Sequence, residues 1–314
     1  MAKAASGPPF SIPAPAWYRG AMRLRFHTLD VFTDTPLAGN PLAVVHEADG
    51  LDAARMQAVA REFNLAETVF LLEPRDPVNT ARLRIFTPDR ELPFAGHPTV
   101  GTAALLAELR APEIVARGEL GLVLEEAIGP VHCTARRAHG RPRATFTLPR
   151  LPEPAGEPPP DAVLAAALGI DPDEIGSGPH RPAALSAGVP FTTVPLRSAA
   201  AVDALRPVAA HWPADLRVYT YAPDGPGRYH ARMFAWRSGI YEDPATGSAA
   251  AAFAGAVMRF DGLPDGDHMV EIRQGVVMGR PSLIGLGLEV ENGALASATI
   301  GGGAVILCDG TIGL

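Results

Sequence analysis

The chain has 314 residues, 47% of them apolar, with a net charge of −7 and two cysteines. The length fits about two domains. The negative balance, with no Lys/Arg cluster interleaved with aromatics, argues against a nucleic-acid surface, no apolar run reaches the roughly 18 residues of a membrane span, and two thiols make no disulfide scaffold, which points to a reducing cytoplasm.

Residues 1–21 are rich in Pro and Ala, lack the apolar centre of a signal peptide, and read as a disordered leader. Residues 22–46 read as two strands about a Gly-Asn-Pro turn, and 51–63 (LDAARMQAVAREF) have helical spacing. ETVFLL (67–72) and ARLRIFT (81–87) read as strands. In PFAGHPTVG (93–101), Pro98 suits a first helical position, so a helix is expected over 98–110, rich in Ala and Leu and buried all round. Strands are expected at 113–117, 120–127, 130–136 and 143–148. His132, Cys133 and His139 lie close in HCTARRAH, but no second pair completes a zinc spacing, so the stretch reads as a surface strand and turn. PRLPEPAGEPPP (149–160) reads as a linker. Gly301–Gly303 open onto the strand-like AVIL rather than a helix, which rules out a dinucleotide fingerprint.

After the linker the order recurs. AGNPLAVV (38–45) matches AGVPFTTV (187–194), RIF (84–86) matches RMF (232–234), and AGHPTVGTAAL (95–105) matches TGSAAAAFAGA (246–256). The offsets, read from Gly39 to Gly188, Arg84 to Arg232 and Gly96 to Gly247, are 149, 148 and 151. The expected architecture is therefore α+β: two pseudo-symmetric domains, each a curved, barrel-like sheet around one small-residue helix. The expected boundaries are 22–145, 146–302 and a final strand, 303–314, placed to return to the first half. Gly96-His97 and Gly247-Ser248 take equivalent places before the two helices. If the halves face each other, both helix N-termini point into one cleft suited to a carboxylate.

The blocks DVFTDTPLAGNPLAVV, NLAETVFLL, RIFTPDRELPFAGHPTVGTAALL, YEDPATGSAAAA and QGVVMGRPS resemble those of the PhzF-type phenazine-biosynthesis isomerase family, over about residues 22–310. That family has the diaminopimelate-epimerase-like fold, with the active site between two barrels. The resemblance implies that Glu67 is the catalytic acid/base and that His97, Asp243 and Ser248 line the site. It further implies that Gly96 and Gly247 offer backbone N–H groups to a carboxylate, and that the protein is a homodimer.

Epimerases of this fold carry a cysteine before each helix; the matching positions here are Ala95 and Thr246. A two-thiol racemase is therefore excluded, while Thr246 can still meet substrate. The offset of about 149 places Glu67 opposite Leu216, so one half holds a base and the other does not. One base returning its proton on a single face suits isomerisation. Arg84 and Arg232, equivalent in both halves, read as scaffold; Asn40 and Gln274 read as turn residues at the site's edge. The expected activity is a PhzF-like isomerase moving a proton within a small unsaturated or cyclic carboxylic acid, as in the family's trans-2,3-dihydro-3-hydroxyanthranilate reaction. No metal, organic cofactor, nucleic acid or membrane is expected to take part. The alternatives are an epimerase or lyase of the same fold on an amino or hydroxy acid, or a non-catalytic ligand-binding protein.

Overall fold

Strand β1 (Arg23–Val31) and β2 (Asn40–Val45) form the antiparallel hairpin that opens the computed structural model, which describes residues 22–236 and 240–314. The leader reading for 1–21 lies outside the described residues. The first half continues with α1 (Ala53–Phe63), β3 (Glu67–Leu72), β4 (Ala81–Phe86), β5 (Glu91–Leu92), α2 (Gly96–Arg110), α3 (Pro112–Val115), β6 (Leu120–Glu126), β7 (Gly129–Ala138) and β8 (Arg141–Thr147). The second half runs through β9 (Glu153–Pro154), α4 (Asp161–Leu168), β10 (Ala183–Ser186), β11 (Pro190–Pro195), α5 (Ala199–Asp203), β12 (Val218–Pro223), β13 (Arg228–Ala235) and β14 (Ile240–Asp243). It ends with α6 (Gly247–Phe260), β15 (Gly266–Gln274), β16 (Ser282–Glu291) and β17 (Ala294–Gly313).

Two expectations need correction here. Residues 113–115, within the strand expected at 113–117, belong to a helical turn over Pro112–Val115; Pro112 in its first turn and Glu113 beside it satisfy a helix N-terminus better than Ile114 and Val115 favour a strand. The linker also contains β9, which pairs with β10.

Register shows the repeat directly. In the first half β2 runs parallel to β3 and β3 pairs antiparallel with β4; in the second, β11 runs parallel to β12 and β12 pairs antiparallel with β13. Arg84 lies opposite Phe70 and Arg232 opposite Thr220, so the two arginines occupy equivalent rungs. Each grips a carboxylate bidentately: Arg84 holds Glu91 at 2.7 and 2.6 Å, and Arg232 holds Glu242 at 2.8 and 2.9 Å. Each also lies over a phenylalanine two residues on, Phe86 or Phe234.

The halves are joined at their last strands. After pairing with β7, the chain crosses from β8 into β9 and joins β10. β17 pairs first with β16 and β8, then crosses to pair with β1 from Ala304 to Gly313. The glycine run sits at this crossing. A Cβ on Gly301 would meet the Thr145 hydroxyl at 2.4 Å, one on Gly302 the Phe32 ring at 2.5 Å, and one on Gly303 the Asp34 carboxylate at 2.2 Å. Those residues must be glycine because no room exists for a side chain, which is a packing role and not phosphate binding.

Each sheet wraps one helix, α2 or α6. From Gly96 to Ala107 every residue of α2 is buried, and α6 buries Ala249 through Ala254 without a break. Small side chains let the sheet approach on all sides, so both helices lie within one continuous apolar core. α1 covers the other face of the first sheet through Met56, Val59 and Ala60. Among the described residues no helix is long and apolar enough to cross a membrane.

Candidate active site

The two central helices begin against one another. A Cβ on Gly96 would lie 3.1 Å from the Gly247 Cα, and the reverse holds for Gly247. α2 begins at Gly96, so His97 belongs to its first turn rather than preceding it. The residues before the helices, Ala95 and Thr246, give no side-chain cap to the first turn, and neither first turn contains an acidic residue. Both sets of N-terminal N–H groups and both positive dipole ends thus converge, with no acidic residue within either first turn.

Glu67 and His97 face this junction from the first half. Glu67 begins β3 on the rung of Leu42, with Val69 and Leu71 following it on the inward face. Its Oε2 lies 3.1 Å from His97 Nδ1, with 15% of the Glu67 side chain and 5% of His97 exposed. Burial, followed by the negative charge of Asp243, pushes Glu67 up to about 8. Burial takes His97 down to about 3, opposed by a hydrogen bond with the Pro41 carbonyl. Both shifts disfavour charge, so near neutrality the contact joins a carboxyl and an imidazole that are both largely neutral.

Asp243 faces the junction from the second half, at the end of β14. Its carboxylate accepts from Thr246 Oγ1 at 2.5 Å and from Asn40 Nδ2 at 2.9 Å. Asn40 also donates to the Ala245 carbonyl at 2.8 Å, so a first-half residue ties down the turn before α6. Burial raises Asp243 to about 6; the bonds from Thr246 and Asn40 pull the other way. Gln274 completes the clamp: Nε2 donates to the Asp243 carbonyl at 2.8 Å and to Thr246 Oγ1 at 3.0 Å, and Oε1 accepts from the Thr246 N–H at 3.3 Å. Ser248 is half-buried in the first turn of α6, at the position equivalent to His97.

The sequence-predicted residues thus fall into two facing groups: Glu67, His97 and Gly96 on one side, Asp243, Thr246, Gly247 and Ser248 on the other. Asn40 and Gln274, read from sequence as turn residues, contact the site residues directly; Asn40 is 0% exposed and so is Gln274. Nothing in AGNP separates a turn asparagine from one reaching across 203 positions to Asp243. The counterpart of Glu67 also shifts by one. Ala43 pairs with Thr68 as Thr192 pairs with Val218, so the equivalent position is Arg217, not Leu216. The second half offers no acid there in either case. Tyr219, inward on β12 and fully buried, went unnoticed in the sequence; its hydroxyl feels the Asp243 charge.

Four site atoms are buried without a hydrogen-bond partner among the described residues: Asn40 Oδ1, Glu67 Oε2, His97 Nε2 and Tyr219 OH. Unpaired buried polar atoms are costly, and these four lie near the junction.

Two barrel-like halves whose central helices begin against one another make up the α+β, epimerase-like fold. Comparison with known proteins agrees. The family description PhzC-PhzF, phenazine biosynthesis-like protein, matches residues 29–310. An uncharacterized isomerase of Mesorhizobium japonicum is 50% identical over 299 residues, covering 90% of this chain and 96% of that protein. The trans-2,3-dihydro-3-hydroxyanthranilate isomerase of Pseudomonas aeruginosa is 37% identical over 293 residues, covering 91% and 98%. Among solved structures, a PhzF-family protein of Bacillus anthracis shares the fold with a TM-score of 0.82 at 23% identity, covering 93% of this chain and 99% of that one. A hydroxyproline epimerase of Agrobacterium vitis shares it with a TM-score of 0.60 at 16% identity, covering 93% and 91%. The chain belongs to the phenazine biosynthesis-like, or PhzF, family and is an isomerase.

Proposed function

We propose that the protein isomerises a small unsaturated or cyclic carboxylic acid by moving one proton between two carbons, with Glu67 as the single acid/base. The observation that carries this reading is one carboxyl, raised to about 8 by burial and Asp243, beside two uncapped helix N-termini. The amides at Gly96 and Gly247 hold the substrate carboxylate. Glu67 as carboxylate takes a proton from a carbon conjugated with that group; the electron pair moves into the conjugated system and the facing amides stabilise the developing charge. The protonated Glu67 then gives the proton to another carbon on the same face. A value near neutrality makes both forms accessible. His97, uncharged, hydrogen-bonds the substrate without competing for the proton. Asp243, held by Asn40 and Thr246, meets polar groups from the opposite side.

Inversion of a stereocentre fits less well, because it needs a second proton carrier on the far face. Ala95 and Thr246 supply no thiol, and the counterpart of Glu67 is Arg217. Cys133 lies on β7 with its thiol pushed up to about 12 by burial, while Cys308 is exposed on β17.

The relative at 37% identity makes trans-2,3-dihydro-3-hydroxyanthranilate the first substrate to try. Purified protein is incubated with it, with 4-hydroxyproline and with diaminopimelate, and double-bond movement and inversion are followed by NMR. Isomerisation of the cyclic dienoic acid without inversion of either amino acid supports the proposal. Inversion of an amino acid with no isomerisation overturns it.

A further inference from the structure

A second buried carboxyl stands at the start of α2. Glu126 ends β6, inward-facing, with 8% exposed. Its rung identifies its counterpart. Ala81 pairs with Leu124 as Tyr229 pairs with Ile272, so Glu126 and Gln274 occupy equivalent positions two residues on. Gln274 accepts from the N–H of Thr246, the residue before α6. Glu126 accepts from the N–H of Ala95, the residue before α2. Thr99 Oγ1 lies 2.6 Å from Glu126 Oε1 and 2.8 Å from the Ala95 carbonyl.

We infer that Glu126 is a positioning residue of the active site, an uncharged acid that holds the start of α2 as Gln274 holds the start of α6 while leaving that helix end free for the substrate's carboxylate. The inference rests on the proposed carboxylate cradle.

Hydrogen-bond accounting supports it. The Thr99 hydroxyl has one proton and two acceptors within reach. If Glu126 keeps its own proton, it donates to Thr99 Oγ1 and Thr99 donates to Ala95, and both contacts are satisfied. If Glu126 ionises, one contact sets two oxygens against each other, and a buried negative charge faces the helix end that should receive the ligand. Burial pushes Glu126 up to about 8, against the pull of the Thr99 and Ala95 bonds. The titratable side chain facing it is Cys133 of β7, itself neutral at about 12. α2 presents the uncharged Thr99, and Ala95 precedes it.

The test separates Glu126 from Glu67, which titrates in the same range. In a Glu67→Gln background, binding of anthranilate is measured by calorimetry from pH 6 to 10. Ionisation of Glu126 beside the α2 end is expected to weaken affinity about three- to tenfold above pH 8, the size of a partly buried helix-end charge effect. Adding Glu126→Gln is expected to remove that weakening and keep the neutral-pH affinity, whereas Glu126→Ala lowers affinity at every pH. An alkaline weakening that Glu126→Gln leaves intact overturns the inference. In parallel, the side-chain carboxyl of Glu126 is titrated by carbon-13 NMR, assigned with the Glu126→Gln variant. A midpoint well above the ordinary carboxylate range is expected, and one below about 5 overturns the inference. Absence of anthranilate binding at every pH counts against the cradle instead, and the NMR midpoint still decides the state of Glu126.

Discussion

Replacing Gly247 with alanine perturbs the junction at its centre. The new methyl lies 3.1 Å from the Gly96 Cα, 3.4 Å from the Gly96 carbonyl carbon and 3.5 Å from the His97 nitrogen. Carbon atoms rest about 3.5–4.0 Å apart, so the two helix starts must separate by roughly half an ångström. Overpacking of this kind costs about 1–3 kcal/mol, and the better helix propensity of alanine returns about 1 kcal/mol. The net loss of stability is then about 0–2 kcal/mol, read as a small fall in the urea midpoint. Binding should suffer more, because the amides of both helices must reach one carboxylate; about a tenfold loss in anthranilate affinity, near 1.4 kcal/mol, is expected. Gly96→Ala meets the same 3.1 Å contact and should act alike. Wild-type affinity in both variants, measured by calorimetry with the urea midpoint unchanged, would refute the claim that the junction grips the ligand.

Arg280 ties the halves together near the same cleft, with Nε on the Gly39 carbonyl and Nη2 on the Ala38 carbonyl, each at 2.8 Å, and on the carboxylate of Asp30. Asp30 is only 1% exposed, so Arg280→Ala strands a buried charge and should cost about 3 kcal/mol in chemical denaturation; a loss below about 1 kcal/mol would contradict this. Stability should also fall as pH rises from 6.5 to about 8. Glu67 and Glu126 both hold their protons up to about 8 when folded, against 4.5 as ordinary carboxyls, so in that window the unfolded chain binds fewer protons than the folded one. Their contribution is complete below their unfolded values and lost as pH passes the folded ones. Below 6.5 the buried His97 and His46, lowered to about 3 and about 4, act in the opposite sense and flatten the curve. Denaturant midpoints from pH 6 to 9 check this: Glu67→Gln and Glu126→Gln should each shallow the alkaline decline, and a rise in stability across it would contradict the assignment.

The duplication was legible because it survives at positions fixed by close contact: a Cβ on Gly96 or Gly247 would press on the opposite helix start, and Arg84 and Arg232 each need a matching acid. Helix α2 was legible from its small residues, although Pro98 suggested a start two residues late. Residues 113–115 read as strand because Ile114 and Val115 are β-branched, while Pro112 and Glu113 suit a helix start. The Glu126–Gln274 equivalence was invisible because LEEAIG and IRQGVV share almost no letters; only the rungs of β4–β6 and β13–β15 align them. Asn40, placed at the site's edge by its turn, showed nothing of its reach to Asp243 for another reason. Its role lies in a bond to the other half, and local patterns describe neighbours in sequence, not partners across a cleft.

The proposed mechanism makes Glu67 the single proton carrier. Turnover of trans-2,3-dihydro-3-hydroxyanthranilate is therefore measured in D₂O for the wild type and for Glu67→Gln, with ligand binding followed in both. The variant should fold and bind, while its turnover falls by the roughly 10²–10⁴ of a lost general base. The wild-type product should retain part of the substrate's own hydrogen at the new position, since one carboxyl takes and returns the proton. Near-normal turnover in Glu67→Gln, or complete solvent deuterium in the wild-type product, would contradict the single-carrier mechanism.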